Sequence, residues 1–158
     1  MISIIIPVLN EEKVIEEKLQ SLLKLKGDKE IIEIMKKMNA DIKVVGKNKI
    51  TVKKRQTHSV DIDGSQIPDI IPILSVLGAL SEGKTSVYNA LRLRIKESDR
   101  IKSTTSELKK LGALIDEKSE GLVVEGKKYL GGGTVNSWND HRIAMSMAIA
   151  SIKCTDNI

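Results

Sequence analysis

The chain repeats itself, and the repeat limits the folds open to it. An amphipathic helix pattern from Lys29 to Met38 places Ile31, Ile34, Met35 and Met38 on one face. It ends in Lys36-Lys37-Met38-Asn39-Ala40-Asp41-Ile42. A second helix pattern opens at Ser98 and carries Ile101, Thr104, Leu108 and Leu111 at i, i+3 or i+4 spacing. It ends in Lys109-Lys110-Leu111-Gly112-Ala113-Leu114-Ile115. Asn39 and Gly112 stand where a left-handed helix stop is expected. Each copy runs on into two short strands around a polar turn. The first pair is 42–45 and 50–53 about Gly46-Lys47-Asn48; the second is 113–117 and 122–125 about Ser119-Glu120-Gly121. Each hairpin is followed by another strand and a buried helix. Ser59 to Ile62 precedes the helix opened by Pro68, and Thr134 to Ser137 precedes the helix opened by Asp140, so Asp69 and Asp140 are near-equivalent. The unit reads strand–helix–strand–helix–strand–strand, with one complete copy flanked by pieces of two others. An α/β layered domain follows, a sheet packed on buried helices.

The starts of three helices carry the chemistry. The run Leu93-Arg94-Ile95-Lys96-Glu97-Ser98-Asp99-Arg100 leads into the second repeat helix, with Ser98 or Asp99 as its cap. Lys96, Glu97 and Arg100 then crowd a helix N-terminus, where backbone N–H groups and the macrodipole favour an anion. Two cations and an acid there suit a phosphorylated substrate and a proton transfer, although the spacing by itself favours a solvated, charged first turn. Asn139-Asp140-His141-Arg142 follows Gly131-Gly132-Gly133 and opens a helix that is apolar nearly all round, from Ile143 to Ile152. A helix of that kind is buried, and a charged, capped end on a buried helix is hard to read as a solvated face. Ile67-Pro68-Asp69 opens a third, mostly apolar helix through about Leu80, with Pro in its first turn. If the fold gathers these ends, Asp69, Lys96, Glu97, Arg100 and Arg142 make an anion site.

Composition excludes several classes. The chain has 158 residues, enough for one domain with a real core. Its net charge of +5 suits anionic ligands, but the charge is diffuse. Aromatic content is 2% with no Phe, which leaves almost nothing for bases to stack on, so nucleic acid is not the expected partner. Cys154 is single, which makes a reducing cytoplasm the default compartment. His58 and His141 give no metal-ligand spacing, and neither a metal nor a cofactor is expected. No run reaches the roughly 18 apolar residues that cross a membrane. Ile2 to Ile6 lacks the basic start and cleavage site of a signal peptide and reads as a strand.

Residues 1–26 stand outside the repeat. Ile2-Ser3-Ile4-Ile5-Ile6-Pro7-Val8-Leu9-Asn10-Glu11-Glu12, followed by a helix pattern through Leu23, resembles the opening of a family 2 glycosyltransferase. The rest of that machinery is missing: Asp61-Ile62-Asp63 is the sole Asp-x-Asp, and it lies in the wrong context. A transferase of nucleotide sugars is therefore a poor reading of the whole chain.

From about residue 27 to 156 the chain is similar to the C-terminal part of the 3-phosphoshikimate 1-carboxyvinyltransferase (EPSP synthase) family. The motifs are Ile67-Pro68-Asp69, Leu91-Arg92-Leu93-Arg94-Ile95-Lys96-Glu97-Ser98-Asp99-Arg100 and Asn139-Asp140-His141-Arg142-Ile143-Ala144-Met145, in the family's order. The resemblance implies an inside-out α/β barrel built of βαβαββ units, here a partial domain. It also implies enolpyruvyl transfer from phosphoenolpyruvate to the 5-hydroxyl of shikimate 3-phosphate, with release of phosphate. By motif, Asp69 becomes the base or hydroxyl-orienting carboxylate, and Glu97 exchanges the proton at the methylene carbon. Lys96 contacts the phosphoshikimate side, and Arg100 and Arg142 hold phosphoenolpyruvate. His141 supports the helix end, Asp99 and Asp140 cap, and Arg92 and Arg94 stay unassigned.

On this reading the chain divides into a glycosyltransferase-like segment, 1–26, and a partial EPSP synthase domain, 27–158. The junction is of the kind a fusion, a truncation or an assembly artefact leaves. The family's N-terminal domain, which completes the cleft, is missing, as is a last strand bearing another basic residue. The fragment is thus expected to be inactive alone. The carboxyvinyl transferase of cell-wall synthesis shares the implied fold, but it uses a reactive-loop cysteine and Cys154 lies in no such loop. The other alternative is a non-catalytic α/β fragment.

Overall fold

A computed structural model describes residues 26–45 and 49–158. They fall in two compact units, the first ending at Arg55 and the second running from Gln56 to Ile158. The first unit contains helix α1 (Lys26–Lys37) and strands β1 (Asp41–Val45) and β2 (Lys49–Lys53), paired antiparallel from Asp41 opposite Lys53 to Val45 opposite Lys49. The turn at 46–48 and the glycosyltransferase-like segment up to residue 25 lie outside the described residues.

The second unit begins with β3 (Asp61–Asp63). A 3-10 turn, Pro68–Ile70, leads into α2 (Ile71–Ala79), which is followed by β4 (Lys84–Tyr88). A second 3-10 segment, Leu91–Ile95, leads into α3 (Arg100–Lys110), β5 (Leu114–Lys118) and β6 (Gly121–Glu125). Last come α4 (His141–Ala150) and a closing 3-10 turn, Ser151–Lys153. The sheet order is β3-β4-β6-β5, with β3 parallel to β4 and the other pairs antiparallel. This is the complete strand–helix–strand–helix–strand–strand unit; its middle strand, given no bounds from sequence, is β4.

The repeat has a physical basis in how its helices stop. Asn39 and Gly112 both take positive φ, 67° and 77°. The Ala40 N–H then reaches Met35 O at 2.9 Å, and the Ala113 N–H reaches Leu108 O at 3.0 Å. Asn39 and Gly112 in turn bond Lys36 O and Lys109 O, each at 2.9 Å. Two identical six-to-one and five-to-two closures define the same helix stop. In both copies the residue before the stop, Met38 or Leu111, is buried, as is the first inward strand residue, Ile42 or Ile115.

Helix α2 forms the centre of the second unit. It packs against α3, α4, β4 and β6, and buries Ile71, Leu74, Val76 and Ala79. Proline in its first turn costs nothing, because the N–H that proline lacks has no helical partner there.

Two expectations need correction. Residues 134–137 form no strand. The Asn136 N–H is taken by the side chain of Glu107 and the Trp138 N–H by Asn136 Oδ1, so the backbone is satisfied by side chains rather than by a ladder. Nor is α4 buried all round. Ile143, Ser146, Met147 and Ala150 form one buried stripe at i, i+3, i+4 and i+7, while Ala144, Met145 and Ala148 are exposed. Only one face of the helix meets α2 and α3.

Candidate functional site

Three helix starts meet on a single guanidinium. Arg100, the first residue of α3, is 1% exposed. Its Nε donates to Asp140 Oδ2 at 2.8 Å and its Nη1 to Asp69 Oδ1 at 2.7 Å. Its Nη2 donates to Glu97 Oε2 at 2.5 Å and to Asp140 Oδ1 at 3.2 Å. Four of its five N–H groups are therefore committed to carboxylates at the starts of α2, α3 and α4. A guanidinium out of water is tolerable only when so paired.

Local sequence explains how each acid arrives there. Asp99 caps α3, accepting from the Lys102 N–H at 3.1 Å. Ser98 does not cap; it donates instead to Asp140 Oδ2 at 3.0 Å. Asp140 caps α4 through the Arg142 N–H at 2.9 Å and at the same time grips Arg100. Its side chain has no solvent exposure. Burial pushes the Asp140 carboxyl up, but Arg100, the Arg142 N–H and Ser98 outweigh that and hold it below the usual carboxylate range. Asp69 behaves likewise: partial burial raises it, while Arg100 and Lys96 bring it down on balance. Burial works against the Arg100 charge, but Asp140, Asp69 and Glu97 keep it firmly protonated.

The groups around this hub differ in freedom. Glu97 is 50% exposed and Asp69 47% exposed. Lys96 Nζ lies 3.3 Å from Asp69 Oδ1. His141 is exposed, with Nδ1 4.0 Å from Glu97 Oε1, too far for a hydrogen bond. Arg142 stands on the same first turn of α4. Among the described residues its buried Nε has no hydrogen-bond partner. The structure thus gathers Asp69, Lys96, Glu97 and Arg100, and sets Arg142 at the capped helix end beside them. With Asp140 included, three acids (Asp69, Glu97, Asp140) meet three cations (Lys96, Arg100, Arg142), and the cluster is formally neutral. An anion gains from it chiefly by taking the place of a carboxylate or by meeting Arg142.

Two contributors had no role from the sequence: Arg94, left unassigned, and Glu107, which was missed. Arg94 donates to Ser119 O and Lys118 O at 2.9 and 2.7 Å, and pairs with Asp99 and Glu117 at 2.7 and 2.9 Å. It ties the segment carrying Lys96 and Glu97 to the β5–β6 turn. Arg92 is exposed. The second contributor is Glu107, a fully buried acid two turns along α3. An acid amid the buried stripe of Thr104, Leu108 and Leu111 was the available signal, since it demands partners. Cys154 lies beyond the far end of α4, its Sγ directed to Ala150 O.

The profile of the family described as EPSP synthase (3-phosphoshikimate 1-carboxyvinyltransferase) matches residues 7–158. The chain belongs to the EPSP synthase family. A 3-phosphoshikimate 1-carboxyvinyltransferase of Clostridium novyi (strain NT) is 59% identical over 134 residues, which are 85% of this chain and 31% of that protein. The one from Methanocaldococcus jannaschii is 45% identical over 127 residues, 80% of this chain and 30% of that protein. A solved EPSP synthase from Acinetobacter baumannii is 32% identical with a TM-score of 0.69, over 82% of this chain and 33% of that one. The enolpyruvyl transferase NikO from Streptomyces tendae, at 20% identity and a TM-score of 0.61, shares the fold. The chain spans about a third of the length of the EPSP synthases it matches. The family match reaches back to Pro7, and the glycosyltransferase likeness of residues 1–26 finds no support in these relatives. Among the described residues no helix is long and apolar enough to cross a membrane.

Proposed function

We propose that this chain forms one wall of an enolpyruvyl-transfer cleft, with phosphoenolpyruvate and shikimate 3-phosphate as its ligands and the cytoplasm as its compartment. The observation that carries this reading is the convergence of Asp69, Lys96, Glu97 and Arg100 on one hub at the starts of three helices. In the reaction the shikimate 5-oxygen bonds to C2 of phosphoenolpyruvate as C3 gains a proton; phosphate then leaves C2 as C3 gives a proton back. Asp69, ionised at neutral pH, takes or orients the hydroxyl proton. Glu97, half exposed beside the hub, serves C3 in both directions. Lys96 meets the phosphoshikimate side.

Arg142 and Arg100 hold phosphoenolpyruvate. Arg142 carries a buried Nε that has no hydrogen-bond partner among the described residues. Arg100 joins when a ligand carboxylate takes Nη2 from Glu97, its most exposed partner, while the buried Asp140 stays in place. The second wall is assigned to the part of the EPSP synthase length that this stretch does not span. Titration of phosphoenolpyruvate into the chain tests the reading. Weak binding is expected, and Arg142→Ala should remove about 1.5–3 kcal/mol of it. Identical, non-specific binding by both proteins would favour a non-catalytic fragment.

A further inference from the structure

Glu107 lies seven residues after Arg100 on α3, two turns along and so on the same side of the helix. Its side chain has no solvent exposure. Oε1 accepts from the Trp138 indole N–H at 2.8 Å, Oε2 from the Asn136 backbone N–H at 2.7 Å, and Lys110 Nζ lies 3.0 and 2.9 Å from the two oxygens. Burial pushes the carboxyl up, but Lys110, Trp138 and the Asn136 N–H together hold it below its usual range. The group is charged at neutral pH and fully satisfied.

The segment it grips is an unusual one. Trp138 and Asn139 both have positive φ, 56° and 52°. Asn tolerates that region; a bulky Trp rarely adopts it and needs surroundings that enforce it. Asn136 Oδ1 accepts the Trp138 N–H at 2.6 Å, and Ser137 O accepts the Asp140 N–H at 2.9 Å. The next residue, Asp140, caps α4 and holds Arg100. Helix α3 thus grips the 136–140 turn at two points, with Glu107 at its beginning and Arg100 at its end.

We propose that Glu107 is a positioning residue: by fixing the Asn136–Asn139 turn it sets the register of Asp140 on Arg100 and of the α4 start that carries Arg142. The effect on ligand binding rests on the proposed anion site; the effect on the turn does not. A merely structural role, in which Glu107 satisfies nearby donors and adds stability, makes a different prediction.

The test uses the 158-residue chain, its Glu107→Gln variant, and an Ile115→Val control that removes a core methyl from β5, outside the turn. Glutamine keeps the size and one acceptor, but its amide group faces a donor with a donor. Hydrogen exchange of the Trp138 indole proton and of the Arg100 Nε–H is read by NMR; the chain has a single Trp, so the indole signal is unambiguous. In Glu107→Gln both protons should exchange at least ~10-fold faster than in Ile115→Val, as in a local opening, and phosphoenolpyruvate should bind at least ~5-fold more weakly. Faster exchange at Trp138 with an unchanged Arg100 proton would overturn the proposal, as would equal acceleration in the control. If the turn loosens while affinity holds, the link to the site is wrong. If the wild type binds no phosphoenolpyruvate, the anion-site reading fails, and the exchange rates alone decide the positioning. Should Glu107→Gln not fold, Trp138→Phe removes one of the gripped donors, and the Arg100 proton is read in the same way.

Discussion

Arg100 Nε donates to Asp140 Oδ2 at 2.8 Å with both side chains withdrawn from solvent, and this bond joins the first turns of α3 and α4. Such a pair owes its energetics to the cost of breaking it. Asp140→Ala leaves a buried guanidinium short of its main partner and removes the cap of α4. A loss of about 3–5 kcal/mol in urea unfolding is expected. Replacing both members with apolar side chains, Arg100→Met with Asp140→Leu, should cost less than the single change. A single Asp140→Ala change costing under about 1 kcal/mol would show that the pair is not buried in solution.

Acid should unfold the protein through these same carboxylates. Asp69, Asp140 and Glu107 all titrate below their usual range in the folded state. The folded chain therefore holds fewer protons than the unfolded chain in that window, and stability rises with pH across it. The contribution is complete above the ordinary carboxylate range and is lost as pH falls through the depressed folded values, below about pH 4. The urea midpoint should be flat from pH 8 to 6 and fall steeply on further acidification. Half-exposed Asp69 contributes less than the two buried acids, because water screens it. A midpoint that rises between pH 5 and 3 would contradict the assignment.

Arg94 should resist conservative replacement. Its fork serves two carbonyls and two carboxylates at once, a geometry an ammonium group does not reproduce. Arg94→Lys is expected to cost about 1–3 kcal/mol in urea unfolding. A change within about 0.5 kcal/mol would place Arg94 among ordinary surface residues.

Local signals were legible in the sequence and long-range partners were not. The stops at Asn39 and Gly112 and the caps at Asp99 and Asp140 use residues a few positions apart, and the helix and hairpin bounds followed from them. Thr134 to Ser137 stands where the repeat expects a strand. What decides that segment is Glu107, 29 residues away from Asn136, which takes the N–H a strand would pair. Arg100 in a polar run looked like a free cation. Its burial follows from Glu97 three residues before it and from Asp69 and Asp140, which approach from the starts of two other helices and which no spacing in the chain announces. The all-apolar composition of α4 suggested complete burial, yet composition does not say how many faces have neighbours.

On the proposed function, Asp69, Glu97, Arg100 and Arg142 belong to one wall of an enolpyruvyl-transfer cleft, and this stretch of about a third of the length of its relatives is expected not to turn over by itself. Orientation of two anions and exclusion of water need both walls, and such effects carry roughly 7–11 kcal/mol of a barrier. The direct measurement is phosphate release from the purified 158-residue chain supplied with phosphoenolpyruvate and shikimate 3-phosphate. The expected result is no release above the blank, with activity returning only when a separate N-terminal domain is added. Robust release from the chain alone, abolished by Glu97→Gln, would contradict the account.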